Sequence, residues 1–380
     1  MWGGLVPWSA ETIVGQRLEF CKFAQGDDVN FTELCERYGI RTKTGYKWLN
    51  RFERDGVDGL VDQSRRPHHS PTRTPPAMEE LVCDVRRNHP WGGRKIGRHL
   101  EDQGHVRVPA SSTITDILRR HGLLGPVADH HSGYGSFEAE NPNDLWQMDF
   151  KGDFDTIRDG RCHPFDILDD HSRYSLCLNA CENEQTGTVK GLLIATFDRY
   201  GIPLRILCDN GPPWGSPHPG GRDSVLSVWL IDQGIEVSHS RPHHPQTLGK
   251  DERFHRTLKL EVLSRRPHWE THTQVQDAFD RWRPIYNHQR PHDSLNGDTP
   301  STRYQPSPRS RPTRIEPPTY PDHYDIRIVG GDARIWFQGR RYKVGRPYRG
   351  RPVGITPTNT DGTYHVYYRH QHIRTINLKQ

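Results

Sequence analysis

Residues 243–266 have the sequence HHPQTLGKDERFHRTLKLEVLSRR, in which a short polar loop precedes an amphipathic helix. At about 100° per residue, one helical face spans roughly 60° and carries an acid followed by two cations, while the opposite face is apolar. The charged face has Glu252, Arg256 and Lys259, and the apolar face has Phe254, Leu258 and Val262. An acid followed by cations suits a metal ion held against a phosphate chain. A surface helix with solvated charges has the same pattern. The rest of the sequence is needed to distinguish a metal-binding helix from a surface helix.

Length and composition indicate a multidomain protein of a reducing compartment. The chain has 380 residues, enough for two to four domains. No apolar run reaches the ~18 residues that a membrane span requires, and the N-terminus lacks a signal-peptide pattern. The seven cysteines form no CxxC pair, which favours buried free thiols in the cytoplasm. Cys177 and Cys181 have no histidine pair nearby, so we expect no zinc site there.

The charge is distributed unevenly along the chain. Residues 1–125 hold 19 Lys and Arg against 16 Asp and Glu, a net +3. Residues 126–298 hold 18 against 26, a net −8, and residues 299–380 hold 15 against 5, a net +10. An acidic middle between basic ends suggests a cation-dependent site flanked by segments that bind a polyanion such as double-stranded DNA.

Residues 15–62 have the pattern of a helix-turn-helix unit. Helices are predicted at 17–24, 31–38 and 42–52, with Asn30 and Glu33 as a capping box and Gly39 in the turn. The last helix carries a basic stripe suited to the major groove, and Tyr46, Leu49 and Phe52 are expected to pack inward. The stripe consists of Lys43, Lys47 and Arg51. A generic three-helix bundle with a solvated basic face is the alternative.

A Pro- and Arg-rich linker at 64–76 leads to a second helical set. Helices are predicted from Thr74, as cap, to about Asn88, from about Gly93, and from Ser111 or Ser112 to Gly122. The set is similar to a second helix-turn-helix. It either binds DNA or serves packing and multimerisation.

From residue 143 the pattern becomes β and then α/β. In LWQMDFKGDF, residues 145–154, large apolar residues alternate with polar ones, so Asp149 projects from the face opposite Trp146, Met148 and Phe150. Strands near 162–169 and 173–181 complete a meander, and a helix is predicted at 185–200. The apolar run at 204–209 predicts a strand buried on both faces. Asp209 ends that strand, where α/β sheets place their sites.

Three carboxylates therefore lie on separate predicted elements: Asp149 on a first strand, Asp209 at a later central strand and Glu252 on a helix. Hard Mg²⁺ prefers such oxygen ligands. Two ions about 4 Å apart can activate the attacking oxygen and stabilise the leaving one in phosphoryl transfer. We therefore predict a two-metal site.

WQMDFKG, DNGPPWGS and HPQTLGKDERFHRTLK resemble the three acid-bearing motifs of the retroviral-integrase-like DDE transposases of bacterial insertion sequences. The resemblance covers nearly the whole chain, and the third motif is the most specific. It implies an RNase H-like core in which Asp149, Asp209 and Glu252 are catalytic and bind two Mg²⁺ or Mn²⁺. It further implies that Arg256 and Lys259 contact the DNA of the element end. A bacterial, nucleoid-associated location follows from the same likeness.

Two positions depart from that family's pattern. Leu248 stands where asparagine is usual, and Asp251 where a small apolar residue is usual. By helical phase Asp251 points nearer to Phe254 and Leu258 than Glu252 does, so it either weakens packing or offers a decoy carboxylate. Among other acids, Asp169 and Asp170 are expected to support a turn, and Glu261 lies about a quarter-turn from the ligand face.

The C-terminal segment follows a Pro/Arg-rich linker and shows six short strands separated by Gly and Asp-Gly turns, which predicts a small SH3-like barrel. Its arginines and lysine are expected to bind phosphates in a salt-dependent way. They include Arg340, Arg341 and Lys343. A solvated basic barrel is the alternative.

The predicted fold class is multidomain, with two all-α helix-turn-helix domains, an α/β RNase H-like core and a β barrel. The predicted bounds are 1–65 and 66–125 for the helical domains, 126–142 for a connector, 143–298 for the core, 299–322 for a linker and 323–380 for the barrel. The predicted function is that of a DNA transposase that joins element ends to target DNA as a dimer or tetramer. A catalytically silent DNA-binding regulator and a simple RNase H-type nuclease are the alternatives.

Overall fold

The computed structural model describes residues 12–63, 73–124, 138–215, 223–240 and 249–379. The chain divides into two compact units, Met1–Arg73 and Thr74–Gln380. Most of the predicted linker at 64–76, His130 and His131 of the connector, and Leu248 lie outside the described residues. The six-segment division made from the sequence stays a prediction.

The first unit is the predicted three-helix arrangement, with α1 at Ile13–Ala24, α2 at Phe31–Arg37 and α3 at Thr42–Asp55. The Asn30 side chain accepts hydrogen bonds from the backbone of Thr32 and Glu33, as an N-cap should. Gly45 allows α3 to approach α2, since a Cβ there would lie 2.6 Å from the Cys35 sulfur. This confirms the helix-turn-helix pattern.

One packing prediction in α3 is wrong. Tyr46 is 54% exposed, although its ring stacks on Phe31 at 4.2 Å between centroids. The buried aromatic residue of α3 is Trp48, and Leu49 and Phe52 are partly buried against the same core. Gly45, Trp48 and Phe52 follow the i, i+3, i+7 spacing of one helical face, which sets Tyr46 at its edge.

The second unit begins with three further helices, α4 at Pro76–Asn88, α5 at Gly93–Asp102 and α6 at Ser111–Arg120. Pro75, rather than the predicted Thr74, is the N-cap of α4. The three helices bury an apolar core that Ile285 of the following domain also contacts. This helical bundle is thus packed on the rest of the second unit.

A mixed sheet forms the centre of the second unit. Its strands are β1 (Leu145–Phe150), β2 (Phe154–Thr156), β3 (Gly160–Asp169), β4 (Ser175–Cys181), β5 (Arg205–Cys208) and β6 (Glu236–His239). Strand order is β2-β3-β1-β5-β6, with β4 also paired to β3. The pairs β1–β3 and β3–β4 are antiparallel, which confirms the meander, and β5 lies parallel between β1 and β6. The short strand β2 was not predicted.

Helices cover both faces of this sheet. They are α7 (Thr186–Tyr200), α8 (Val225–Asp232), α9 (Gly249–Glu261) and α10 (His272–His288). Trp146 and Met148 of β1 join a core with α7 and α8, whereas Leu168 and Leu178 of β3 and β4 join a core with α9 and α10. The layered arrangement is that of an RNase H-like core, and it sets α9 against the face of the sheet from which Asp149 projects.

The predicted C-terminal strands are present, but they form two sheets rather than the closed SH3-like barrel. The strands are β7 (Asp325–Ile328), β8 (Arg334–Phe337), β9 (Arg340–Lys343), β10 (Pro352–Pro357), β11 (Thr363–Tyr368) and β12 (Gln371–Asn377). One sheet has the order β12-β11-β10-β7, and β8 pairs only with β9. The alternation of apolar and polar residues within each strand predicts which side chains share a face. Closure of a barrel depends instead on pairing between strands that are remote in sequence.

The Asp232 carboxylate ties these sheets to the core. It accepts hydrogen bonds from Arg351 at 2.7 Å, from the Tyr368 hydroxyl at 2.7 Å and from Arg369 at 2.8 Å. Apolar residues of both parts form one continuous core. Because Asp232 ends α8, the C-terminal sheets are anchored beside β6 of the central sheet.

The cysteines and the length of the helices also bear on expectations from the sequence. All seven cysteines are buried and free, as their sequence surroundings suggested. In the described ranges, no helix is both long and apolar enough to cross a membrane.

Candidate active site

Two of the predicted acids follow the same stretch of paired strands. Strands β1 and β5 are parallel, and their register ends with Gln147 opposite Leu207. Asp149 and Asp209 each come two residues after that last pair, and Asp209 lies in the turn that follows β5. Burial raises the pKa of Asp149 to about 6, and the charges of Asp166 and Asp209 add to the rise while His255 opposes it. The fold therefore concentrates negative charge at the carboxyl end of β5.

Hydrogen bonds to β6 hold the turn that carries Asp209. The Ser240 hydroxyl donates to the Asp209 carboxylate at 2.8 Å, and the Asn210 amide donates to the Ser240 carbonyl at 2.7 Å. Asp209 is exposed, in contrast to half-buried Asp149. The second acid is thus fixed by its backbone turn and still open to an incoming ion or substrate.

An unpredicted pair, Asp166 and His255, lies behind Asp149. Asp166 is directly opposite Asp149 in the β1–β3 register and is fully buried. Its Oδ1 lies 2.6 Å from Nε2 of His255, which projects from α9. Burial alone would lower the pKa of His255, but the charge and hydrogen bond of Asp166 raise it. The Asp166 carboxylate therefore favours the protonated form of His255, which would balance part of the negative charge at Asp149 and Asp166.

The third predicted acid lies in the first turn of α9 and points to solvent. Glu252, Arg256 and Lys259 are all exposed, whereas Phe254 and Leu258 are buried. The two helical faces predicted from the sequence are therefore confirmed. In the parts of the chain that the structure describes, no group of three or more His, Cys, Asp or Glu side chains is arranged to hold a metal ion.

Asp251, the neighbour of Glu252, faces inward as its helical phase predicted. It is 0% exposed, and neither carboxylate oxygen has a hydrogen-bond partner among the described residues. Burial raises its pKa well above the usual value, and the charges of Asp166 and Asp149 add to the rise. Asp251 is therefore buried without a hydrogen-bond partner among the described residues, at a cost to folding. Its nearness to Asp149 makes it a competitor of Glu252 as the third acid of the site.

The other competing acids have structural partners. Asp169 accepts hydrogen bonds from the backbone of Asn143 at 2.7 Å and Ser172 at 2.8 Å, so it supports its turn. Asp170 pairs with Lys250 at 2.5 Å. Glu261 accepts from Trp282 at 2.9 Å and Arg290 at 2.8 Å inside the core.

The donor chemistry fits a hard divalent cation. Carboxylate oxygens are the ligands that Mg²⁺ and Mn²⁺ prefer, and Asp149 and Asp209 supply them from neighbouring strands. Burial is the main cause of the raised pKa of Asp149, and the charges of Asp166 and Asp209 add to it, so a cation bound there would favour the ionised carboxylate. Glu252 is one helical turn before His255 and is the acid that would complete the set from α9.

The predicted DNA-contacting cations are exposed, with one exception. Lys43, Lys47, Arg340, Arg341 and Lys343 are exposed. Arg51 is half-buried, since its guanidinium donates to Gln63 at 3.2 Å and lies 5.2 Å from the centre of the Trp48 ring. In the basic stripe on α3, Lys43 and Lys47 are therefore more exposed than Arg51.

Asp166 and His255 are the site residues that the sequence analysis missed. A weak signal was present, since His255 is three residues after Glu252 and so shares part of its face. Nothing local marks Asp166, because it becomes a neighbour of Asp149 only through strand pairing.

Comparisons with known proteins identify domains along the chain. Residues 139–245 and 233–300 match the family described as integrase core domain. Residues 16–68 match a helix-turn-helix domain, residues 44–118 a homeodomain-like domain, and residues 324–380 the C-terminal domain of the IS481 family transposase.

Two of the relatives come from insertion elements. The chain is 29% identical to the "Insertion element IS476 uncharacterized 39.2 kDa protein" of Xanthomonas euvesicatoria, over 76% of this chain and 82% of the relative. It is 26% identical to the "Insertion element IS407 uncharacterized 31.7 kDa protein" of Burkholderia multivorans, over 64% of this chain and 84% of the relative. Among solved structures, the HTLV-2 integrase catalytic core domain in complex with magnesium is 17% identical with a TM-score of 0.35, covering 44% of this chain and 100% of that one.

Proposed function

We propose that this chain is a DNA transposase of the kind that bacterial insertion sequences encode, since it matches integrase core and transposase C-terminal domains and is similar to insertion-element proteins. It binds the ends of its element and catalyses two phosphoryl transfers. The first cleaves DNA at the element end, and in the second the freed 3′-hydroxyl attacks target DNA. Because two ends must be joined together, the working form is a dimer or tetramer. Its DNA substrates lie in the bacterial cytoplasm, at the nucleoid.

The observation that carries this proposal is that Asp149 and Asp209 both follow the last paired residues of two parallel strands, near enough for the charge of Asp209 to act on Asp149. Asp149, Asp209 and Glu252 would hold two Mg²⁺ or Mn²⁺ ions. When bound, such ions activate the attacking oxygen and stabilise the leaving oxygen. The buried Asp166–His255 pair positions Asp149 from behind, and the turn bonds of Ser240 orient Asp209.

Exposed cations outside the site bind the phosphates of the DNA. Arg256 and Lys259 follow Glu252 on one helical face, so they meet the end that is cut. Helix α3 enters the major groove with its basic face, and strand β9 binds backbone phosphates. The two C-terminal sheets take part in this DNA binding.

A strand-transfer assay with a pre-cut element end tests the assignment, with Mg²⁺ in one arm and EDTA in the other. D149N, D209N and E252Q should each abolish Mg²⁺-dependent joining, because each loses a ligand charge, while end binding stays nearly intact. D155N is the matched control, since Asp155 is an exposed acid in the hairpin after β1. Full activity in any of the three variants would refute its role.

The second candidate is a DNA-binding regulator that does no chemistry. It is favoured by one observation, the exposure of Glu252 beside a buried Asp251 that has no hydrogen-bond partner among the described residues. Wild-type protein that binds element ends but joins none with Mg²⁺ or Mn²⁺ would establish this candidate. Cleavage of RNA–DNA hybrids without end specificity would instead establish a nuclease.

A further inference from the structure

A series of polar contacts joins the C-terminal sheets to the turn that carries Asp209. It begins at Tyr348, which is 1% exposed and lies in a short 3₁₀ helix at Arg346–Tyr348, between β9 and β10. The Tyr348 hydroxyl donates to Oδ2 of Asp223 at 2.7 Å. Asp223 directly precedes Ser224, the N-cap of α8, so a residue 125 positions away in sequence bonds to the start of that helix. The function proposed above gives this contact no role.

The second contact in the series is between Asp223 and His239, the last residue of β6. The His239 side chain is 4% exposed, and its Nε2 lies 3.7 Å from Oδ1 of Asp223. Burial alone would lower the pKa of His239, but its contacts, first of all that with Asp223, raise it to about 10. The separation is too long for a hydrogen bond, so Asp223 holds the protonated imidazole by charge.

The third contact is between His239 and Asp209 itself. Nδ1 of His239 donates to the backbone carbonyl of Asp209 at 3.1 Å, and the sulfur of Cys208 is a more distant neighbour of the same nitrogen at 3.6 Å. Ser240, the next residue, donates its hydroxyl to the Asp209 carboxylate at 2.8 Å. Two consecutive residues therefore hold Asp209, since His239 contacts its main chain and Ser240 its side chain.

The main chain of Asp209 depends on such a contact because it lies beyond the paired part of β5. The strand ends at Cys208, whose carbonyl accepts a hydrogen bond from the Ser240 amide at 2.9 Å. The carbonyl of Asp209 has His239 as its one hydrogen-bond partner in the described part of the chain. The orientation of the peptide that follows Asp209, and with it the position of the carboxylate, therefore depends on the imidazole.

The C-terminal sheets make a matching contact at the other end of α8. The Tyr368 hydroxyl donates to Asp232, the last residue of α8, at 2.7 Å, the same distance as the bond from Tyr348 to Asp223. Within the described ranges, the Asp232 carboxylate accepts hydrogen bonds only from C-terminal residues, and none of these bonds leads to Asp209. One tyrosine therefore only anchors the sheets, whereas the other also reaches the Asp209 turn.

We propose that the three linked side chains form a network, the Tyr348 network, that positions Asp209, so that the C-terminal sheets help to build the active site as well as to bind DNA. The network consists of Tyr348, Asp223 and His239, which are positioning residues. Each orients the next, and His239 fixes the Asp209 carbonyl. The inference rests on the proposed function for the role of Asp209 as a metal ligand. Loss of a group that orients a metal ligand typically costs about 10–100-fold in metal affinity or activity.

A matched pair of tyrosine variants of the full-length protein tests the network. Y348F and Y368F each remove one hydroxyl that donates to a carboxylate of the core, and both keep the ring. Calorimetry measures Mn²⁺ binding, and affinity for a labelled element end is measured alongside. Y348F should weaken Mn²⁺ binding several-fold and slow strand transfer, while end affinity stays at the wild-type value. Y368F should bind Mn²⁺ like the wild type.

Two results of this comparison would overturn the network. If Y348F binds Mn²⁺ as tightly as the wild type, the hydroxyl has no part in holding the site. If Y368F weakens Mn²⁺ binding as much as Y348F, the effect comes from loosened C-terminal sheets, and Asp209 is not positioned through Asp223.

Two substitutions of His239 locate the step at which the effect passes to Asp209. Leucine cannot donate to the Asp209 carbonyl, so H239L should lower Mn²⁺ affinity by at least about tenfold. Asparagine keeps a donor near the place of Nδ1 but has no atom at the place of Nε2, so H239N should lose only the contact with Asp223 and resemble Y348F. Adding Y348F to H239N should cause no further loss, because both interrupt one network. Additive losses in the double variant would contradict the inference.

Amide hydrogen exchange in EDTA tests the Asp209 turn without any metal. The amides of Trp214 and Gly215 donate to the Gly211 carbonyl at 3.0 and 2.8 Å, so their exchange reports local opening of the chain just after Asp209. Exchange at both amides should be faster in Y348F than in the wild type or Y368F. Unchanged exchange in Y348F would mean that the network does not hold this turn.

The two proposals fail in different ways. Wild-type protein that binds element ends but joins none would sink the transposase assignment, while exchange in EDTA would still decide the network. An active wild type whose Y348F variant binds Mn²⁺ and exchanges its amides like the wild type would sink the network alone.

Discussion

Replacing Asp251 by valine should make the protein more stable. Asp251 is fully buried on the inner face of α9 with both carboxylate oxygens unpaired among the described residues. A buried polar group without a partner costs about 1–3 kcal/mol, and more when it is charged. Valine has nearly the same volume and removes that cost, so we expect D251V to stabilise by about 1–3 kcal/mol. At roughly 2–4 °C per kcal/mol, the melting temperature should rise by several degrees.

The gain should depend on pH in a definite direction. The pKa of Asp251 is raised in the folded state above the value of 3.8 expected in the unfolded chain. Above pH 3.8 the folded protein therefore retains a proton that the unfolded chain releases. Wild-type stability falls with rising pH in that window, by at most about 1.4 kcal/mol per pH unit. The advantage of D251V should accordingly be larger at pH 8 than at pH 5.

Urea unfolding at both pH values, in EDTA, measures this difference. E252A is the matched control, because Glu252 is the adjacent but exposed acid, and its stability should stay within about 0.5 kcal/mol of wild type. If D251V is no more stable than wild type at pH 8, the argument from an unpaired buried carboxylate is wrong. Strand transfer by the same variants adds a functional test: loss of joining in D251V, with joining retained in E252A, would move the third ligand to residue 251.

Two further substitutions test other parts of the structure. H255Q leaves the buried Asp166 carboxylate without its 2.6 Å partner, which should cost about 3–5 kcal/mol in urea unfolding at pH 6. Since the folded pKa of His255 is raised above 6.5, this stabilisation is complete below pH 6.5 and is lost as pH rises through the folded pKa. A wild-type to H255Q difference that is constant from acid to alkaline pH would contradict that account. D232A removes the acceptor shared by Arg351, Tyr368 and Arg369, so limited trypsin digestion should release the C-terminal sheets faster. D198A, which loses an exposed carboxylate paired with Arg311, should digest like wild type, and equal rates for D232A would argue against an anchoring role.

Local patterns predicted most of the elements. Alternation around Asp149 predicted its strand and its face, and the continuous apolar run before Asp209 predicted a strand buried on both sides. Helical phase predicted both the exposure of Glu252 with Arg256 and the burial of Asp251. These predictions hold because side-chain direction within one strand or helix depends only on its own period.

Prediction was weaker wherever remote segments meet. Tyr46 was expected in the core of the first unit, but Trp48 takes that place because it faces Phe20 and Leu34 of the other helices. The C-terminal strands were predicted individually, yet their division into two sheets depends on partners that the sequence does not specify.

By itself, therefore, the sequence determined the periodic elements, the acid-bearing motifs and the distribution of charge. Only the tertiary structure decided which acids share a space: it set Asp166 opposite Asp149 and brought His255 across from α9. The physical reason is that periodicity is a property of neighbours along the chain. Charge balance and desolvation are instead set by groups that meet only when strands pair and helices pack.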